Sequence, residues 1–432
     1  MNDNLIIDAI DQRDHKPLME REELRDAISL SLWAGQMLLQ NGADTKRVEE
    51  IIHHIGTGLG CDWLDIVVQL DAVIATTTNN HEFRTKVRRV PNHGVNMQVI
   101  AEIADLSYQL TNGELDRFQL RRELRRVDKM PRNYNRWVVV FGVGLACAAF
   151  SRLFAGDWSM FFVTFSAASM AMFIRQELHR RYINPLVTVA LTALVAGLVV
   201  NSAALFDLST EPSIALAASA LLLVPGVPLI NAAEDLIQGY ILTGVIRGTT
   251  GVLDCAGDCT RFGICYLDNG SAECMINLLW ILVQDAFWSA LAAMAFALLF
   301  NVPRRTLLYA MISGAIGHAI RTLAIQQFGA SIELATLLGA MAVGIWAKFL
   351  AYRMKTPSMI FAVCGAITLV PGVFAYRTMI GILQITSVPI DEASITLVAV
   401  SVNAIKTGLI LVAIAVGIVM PTLLLNREKP VV

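Results

Sequence analysis

The chain has 432 residues, of which 55% are hydrophobic and only 16% charged, with a formal net charge of −2. Soluble domains carry about 25% charged residues, so a large part of this chain is built to avoid water. The near-neutral balance gives no reason to expect nucleic acid, and 7 cysteines are too sparse for a disulfide scaffold.

The first stretch, MNDNLIIDAIDQRDHKPLMEREELRD, is polar and acidic where a secretory signal needs basic and then apolar residues. The expected location of this end is therefore the cytoplasm. REELRDAISLSLWAGQMLLQNG repeats apolar residues at helical spacing and stops at Asn41-Gly42, a good C-terminal cap. Asp44 or Thr45 can cap a second helix, TKRVEEIIHHIGTGLG. LDIVVQLDAVIATTTNN and HEFRTKVRRV are rich in β-branched residues and predict a hairpin joined by a polar turn. Helices near 95–110 and 115–127 complete an α+β domain ending at about Arg136.

Beyond Arg136 the chain turns to long apolar runs, and about 20 such residues can cross a bilayer as a helix. Nine spans are predicted, near 137–154, 158–174, 184–204 and 213–231, then 276–300, 306–324, 333–351, 357–376 and 395–425. Basic residues favour the cytoplasmic side of short loops. RQELHRRY at 175–182 carries three arginines and NSAALFDLSTEPS at 201–213 none, which agrees with an N-terminus inside. The basic loops VPRRT (302–306), KFLAYRMK (348–355) and NREK (426–429) lie inside only if the span at 276 begins outside. Four spans leave residue 231 inside, so one crossing is missing between about 232 and 274.

An internal repeat points the same way. LLLVPGVPL at 221–229 matches ITLVPGVFA at 367–375, an offset of 146 residues that also carries Ile174-Arg175 onto Ile320-Arg321. An odd number of spans per repeat inverts its topology in the membrane. The expected fold is an α-helical polytopic membrane protein with an N-terminal cytoplasmic α+β domain and two five-span inverted repeats, the fifth span disrupted. Its parts are the domain over 1–136, a first membrane repeat over 137–250, an atypical Cys-rich seam over 251–274 and a second membrane repeat over 275–432.

The seam reads GVLDCAGDCTRFGICYLDNGSAECMINLLW from 251 to 280 and holds Cys255, Cys259, Cys265 and Cys274. Cys-x3-Cys-x5-Cys-x8-Cys lacks the paired spacing of common zinc sites, so no metal is expected. A disulfide loop on an oxidising face, a natural fusion linker, and a frame change followed by read-through to Met275 all remain open. Asp254, Asp258, Arg261 and Asp268 suit a lipid-facing span poorly.

LLQNGADTKRVEEII is similar to the Gly-Ala/Ser-x-x-x-Arg-Val-Glu segment of the threonine/serine exporter family, here Gly42 to Glu49. VPGVPLINAAEDLIQGYILTGVIRG resembles the end of that family's N-terminal component. The stretch from Met275, with GAIGHAIR and LVPGVFAYRTMIGI, resembles its smaller second component. In some members the two components are separate proteins, a form that resembles a succinate exporter. The resemblance implies a bacterial inner-membrane secondary transporter, driven by protons and exporting threonine, serine or a C4 dicarboxylate. A second copy of the chain is an open partner, and no cofactor is implied. The other class of reading is a membrane-anchored cytoplasmic enzyme or sensor domain.

No hydrolase triad or phosphate-binding loop is present in the sequence. His53, His54, His81 and His93 have no ligand spacing and read as surface or turn residues. Polar groups inside a membrane are costly and mark cavities or partners. Pro225-Gly226 and Pro371-Gly372 fall at matching repeat positions, where interrupted helices point to a substrate site; each pair can equally end a helix in a turn. Arg175 and Arg321 are repeat-equivalent and can fork onto a carboxylate, or snorkel to an interface. His318 lies one turn before Arg321 and can titrate near neutrality or simply hold structure. Asn231 and Asp235, Asp285, and Asn403 with Lys406 complete the candidate substrate or proton residues.

Overall fold

The computed structural model describes residues 19–79, 82–91, 93–154, 156–205, 212–220, 226–255, 274–385 and 390–425. The chain divides into two compact units at Pro131/Arg132.

In the first unit α1 (Arg21–Gln40) ends at Asn41 and Gly42, the latter at φ +89°, a conformation glycine adopts without strain. Asp44 then caps α2 (Thr45–Gly58) by accepting the Arg47 N–H at 3.1 Å. The predicted hairpin is a three-stranded antiparallel meander of β1 (Trp63–Val68), β2 (Ala72–Asn79) and β3 (Glu82–Arg89). The first run was read as one strand because no glycine or asparagine marks its turn. The Gln69 N–H closes that turn onto the Ala72 carbonyl at 2.9 Å. α3 (Met97–Thr111) and α4 (Arg117–Asp128) follow as expected. α1 lies on β2 and β3, and Leu24, Ile28, Leu32, Ile52, Ile100 and Leu120 form the buried core.

The second unit is helical. α5 (Arg136–Leu153) and α6 (Trp158–Arg180) form an antiparallel pair capped by Asn135 and Asp157. α7 (Pro185–Leu205), α8 (Pro212–Ala220), α9 (Gly226–Ile237) and α10 (Ile241–Cys255) complete the first half. The second half holds α11 (Cys274–Leu299), α12 (Leu307–Phe328), α13 (Ile332–Met354), α14 (Met359–Ala366), α15 (Gly372–Ile385) and α16 (Ile390–Leu425). Among the described residues six helices are long and apolar enough to cross a membrane, at 136–153, 158–180, 280–299, 304–328, 332–354 and 393–421. The apolar part of α7, Val187–Ala203, is shorter.

One predicted span is not continuous. The run 357–376 is α14 and α15, bent by 54° after a 3-10 turn at Ile367–Leu369. Pro371 cannot donate a backbone hydrogen bond, and Gly372 starts the next helix. The run 213–231 holds α8 and the start of α9, and 221–225, including Pro225, lie outside the described residues. The 146-residue offset carries Gly226 of α9 onto Gly372, the first residue of α15.

One clasp fixes how the halves meet. The Asn133 N–H donates to the Asn301 side chain at 2.8 Å, the Tyr134 hydroxyl to the Val302 carbonyl at 2.7 Å, and Arg304 to the Asn133 carbonyl at 2.8 Å. The start of α5 and the end of α11 therefore share one end of the unit. At the other end Arg152 and Trp158 meet the ring of Trp288. α5 and α11, equivalent under the offset, run antiparallel.

The halves differ in one packing. Gly344 of α13 lies so close to α16 that an added Cβ would be 2.9 Å from the Ile418 carbonyl oxygen. On α7 the equivalent face carries Leu194 and Leu198, 58% and 61% exposed, and a Cβ on Gly197 meets nothing within 4 Å. The residues of the first half equivalent to 402–419 of α16 are 256–273, outside the described range. Gly344→Leu should lower the stability of the detergent-solubilised protein by roughly 1–3 kcal/mol through overpacking. Gly197→Leu should change it by no more than about 0.5 kcal/mol. Thermal melting of both variants checks the contrast.

Candidate functional site

The polar groups of the second half converge beside the broken helix. Asp285, on α11, accepts from the Thr322 hydroxyl of α12 at 2.6 Å. His318, one turn earlier on α12, has Nδ1 3.7 Å from the same carboxylate. Arg321 reaches the other way and donates through Nη1 to the Leu369 carbonyl at 3.4 Å. That carbonyl belongs to the 3-10 turn, whose end the Pro371 break frees from helical bonding. Helical spacing of three and four places His318, Arg321 and Thr322 on adjoining faces of α12.

The start of α9 meets the break between α14 and α15. An added Cβ on Gly226, the first residue of α9, would lie 3.1 Å from Ile367 Cδ1. Ala217 of α8 packs with Tyr376 and Ile380 of α15. Lys406 of α16 places its ammonium 5.5 Å from the ring centre of Phe374, two residues beyond Gly372. The structure thus gathers Asp285, His318, Arg321, Pro371, Gly372, Gly226 and Lys406 around the interruption. Asn403 lies one turn before Lys406 and accepts from the Thr407 hydroxyl through its carbonyl at 2.8 Å.

A second polar centre stands on α9 and α10. Asp235 is fully buried and its carboxylate is 3.0 Å from Arg247 Nη1, itself nearly buried. Asn231, Glu234 and Thr243 are buried with it. Asp235, a candidate substrate or proton residue in the sequence, is held in an ion pair with Arg247. Its partner was missed, although Arg247 is the only charged residue between Tyr240 and Gly251. Thr322 was also missed, and its signal was its place one turn after His318. Arg175 is part-buried near the end of α6, and Pro225 falls outside the described residues.

The two centres are not repeat copies. Asp285, His318 and Thr322 correspond to Val139, Met172 and Gln176, while Asp235 and Arg247 correspond to Gly381 and Ala393. Only the arginine pair Arg175 and Arg321 is shared.

A helical, multi-pass membrane protein with an interrupted helix beside a buried carboxylate, histidine and arginine has the anatomy of a membrane carrier. The family profile described as "Putative threonine/serine exporter" matches residues 29–260, and that described as "Threonine/Serine exporter, ThrE" matches residues 285–424. The chain belongs to the threonine/serine exporter family. It is 36% identical over 232 residues to the "Probable succinate transporter subunit YjjP" of Escherichia coli, covering 53% of this chain and 89% of that protein. It is 37% identical to the protein of that name from Klebsiella aerogenes, covering 53% and 88%. An "Uncharacterized protein" of Haemophilus influenzae is 26% identical over 415 residues, 96% of this chain and 100% of its own. No solved structure matches the chain.

Removing one member of a buried ion pair leaves the other charge uncompensated and costs about 3–5 kcal/mol. Asp235→Ala should lower stability on that scale. Asp235→Leu combined with Arg247→Met should recover most of it, as thermal melting of the single and double variants would reveal.

Proposed function

We propose that the chain is an inner-membrane secondary exporter of small polar metabolites, of the threonine/serine class, coupled to the proton gradient. The observation that carries this reading is the contact of Arg321 with the Leu369 carbonyl at the break, beside Asp285 and His318. A 3.4 Å hydrogen bond is long. A substrate carboxylate, offering a charge-assisted pair to the guanidinium, competes well against it. Its arrival releases the Leu369 carbonyl and so acts on the interrupted helix, the element suited to change conformation. His318 and Asp285 can take up a proton as the substrate leaves, giving exchange of a neutral amino acid against protons.

The clasp between 133–134 and 301–304 supports the inverted arrangement. With the first domain in the cytoplasm, α5 begins and α11 ends on the cytoplasmic side, matching the basic loop at 302–306. α11 then begins outside, and the chain needs a fifth crossing before it. α10, from Ile241 to Cys255, is its visible part. The Haemophilus relative, aligned along its whole length, supports 256–273 as the join of a naturally fused chain over a frame change. The disulfide and frame-change readings fall on residues outside the described range. The mass of the product from the native locus decides: one chain near 47.2 kDa supports the fusion, and a chain beginning at Met275 refutes it.

A C4 dicarboxylate is the second substrate reading, favoured by the similarity to succinate transporter subunits and by the cation of Lys406 near the break. Counterflow in proteoliposomes with labelled threonine, serine and succinate separates the two. Arg321→Ala should reduce counterflow of the true substrate at least ~10-fold, the loss of one charged hydrogen bond. His318→Ala should retain exchange and lose its response to an imposed pH gradient. Unaltered transport in both variants removes this centre from the pathway.

A further inference from the structure

β3 is the edge strand of the three-stranded sheet, and side chains two apart on a strand share a face. Arg84, Lys86 and Arg88 therefore line the face on which α1 packs, opposite Phe83 and Val87, which are exposed. α1 contributes to the same seam. The Lys86 ammonium donates to the Ser29 hydroxyl at 2.6 Å, and Arg88 donates to the Gln36 side chain. Arg88 also lies over the Trp33 ring at 5.7 Å, which holds its guanidinium at the helix margin.

These cations are not neutralised by their surroundings. No ion pair joins Arg84, Lys86 or Arg88 to a carboxylate among the described residues, whereas Arg117 pairs with Glu23 and Asp26, Arg121 with Asp26, and Arg126 with Glu102 and Glu123. Burial, then the charges of Arg88 and Arg25, hold the Lys86 ammonium below its ordinary pKa. Burial lowers Arg88 too, and Asp128 only partly opposes this. Like charges kept close and part-desolvated are a standing cost that an anion between them would remove.

We propose that the α1–β3 seam, through Lys86 and Arg88, binds a small anion carrying two or more negative charges, a dicarboxylate or a phosphate. Lys86 and Arg88 are two residues apart, about 7 Å along the strand, a spacing for two anionic groups of one small molecule. The charged heads are part-buried between helix and sheet, so a compact solute reaches them more fully than a flat polyanionic surface. This site does not rest on the transport reading, because its residues belong to the first unit.

Isothermal titration calorimetry of the full-length chain in detergent tests it, with succinate, citrate and inorganic phosphate at matched ionic strength. At least one anion should bind saturably, and Lys86→Gln with Arg88→Gln should weaken it at least tenfold. Lys86→Arg should retain binding. Without anion, Lys86→Gln should melt no lower than the parent chain, because a repulsion is relieved; with anion only the parent should gain. Absence of saturable binding for all three anions overturns the proposal. So does equal affinity in the double variant. Should the double variant not fold, the Lys86→Gln and Lys86→Arg pair decides by the same criteria.

Discussion

The membrane unit depends on a clasp of three hydrogen bonds between the residues that enter α5 and those that leave α11. Asn301 makes it possible by adopting φ +54°, a left-handed conformation that asparagine tolerates better than most residues. The buried Asn301 side chain then faces back to accept from Asn133. Because the two helices are equivalent under the 146-residue offset, tying the start of one to the end of the other sets them antiparallel. Close packing maintains that pairing along their length, with Gly142 against Leu298 and Phe150 against Phe296. The relation between the halves thus reduces to which end of each helix is held.

From that constraint the need for broken helices follows by hydrogen-bond accounting. An interrupted helix in a membrane exposes carbonyl groups that lipid cannot satisfy. The second half meets this locally. Thr368 returns its hydroxyl to the Gly365 carbonyl at 2.8 Å, the Gly372 N–H turns to Val370 at 2.9 Å, and Arg321 takes the Leu369 carbonyl. α12 and α13 approach closely beside Arg321, where a Cβ on Gly339 would lie 2.6 Å from the Gly317 carbonyl oxygen. The break and the polar centre are therefore one construction: each supplies the other's missing partners.

Most of the secondary structure was legible because its signals are local. Asn41-Gly42, Asp44 and the apolar runs act within a few residues, and the helices they predict are present. The Pro-Gly pairs also announced the interruptions, but one apolar run on either side of a proline reads as a single span until the 54° bend is seen. The turn after Gln69 was hidden for the opposite reason, since β-branched residues continue on both sides and nothing punctuates them. Of the site, Asp285, His318 and Arg321 were recognisable by the cost of placing them in an apolar run. Their grouping was not, because Asp285 is 37 residues from Thr322 and Arg321 is 48 from Leu369. Arg247 was passed over because it sits in an amphipathic helix where an arginine needs no special reason.

Comparison of the halves separates framework from chemistry. The Pro-Gly pairs and the apolar runs around them recur at the offset, as architecture requires. The ionisable residues do not recur, apart from Arg175 and Arg321. Val139 and Met172 occupy in one half the places of Asp285 and His318 in the other, and Gly381 and Ala393 replace Asp235 and Arg247. A buried charge is too costly to persist as a relic of duplication. Each centre is accordingly tied to the half that contains it. The Asp235–Arg247 pair locks α9 to α10, where the equivalent α15 and α16 pack through Gly381 against Val400. The Asp285, His318 and Arg321 centre stands beside the 54° bend of the second half.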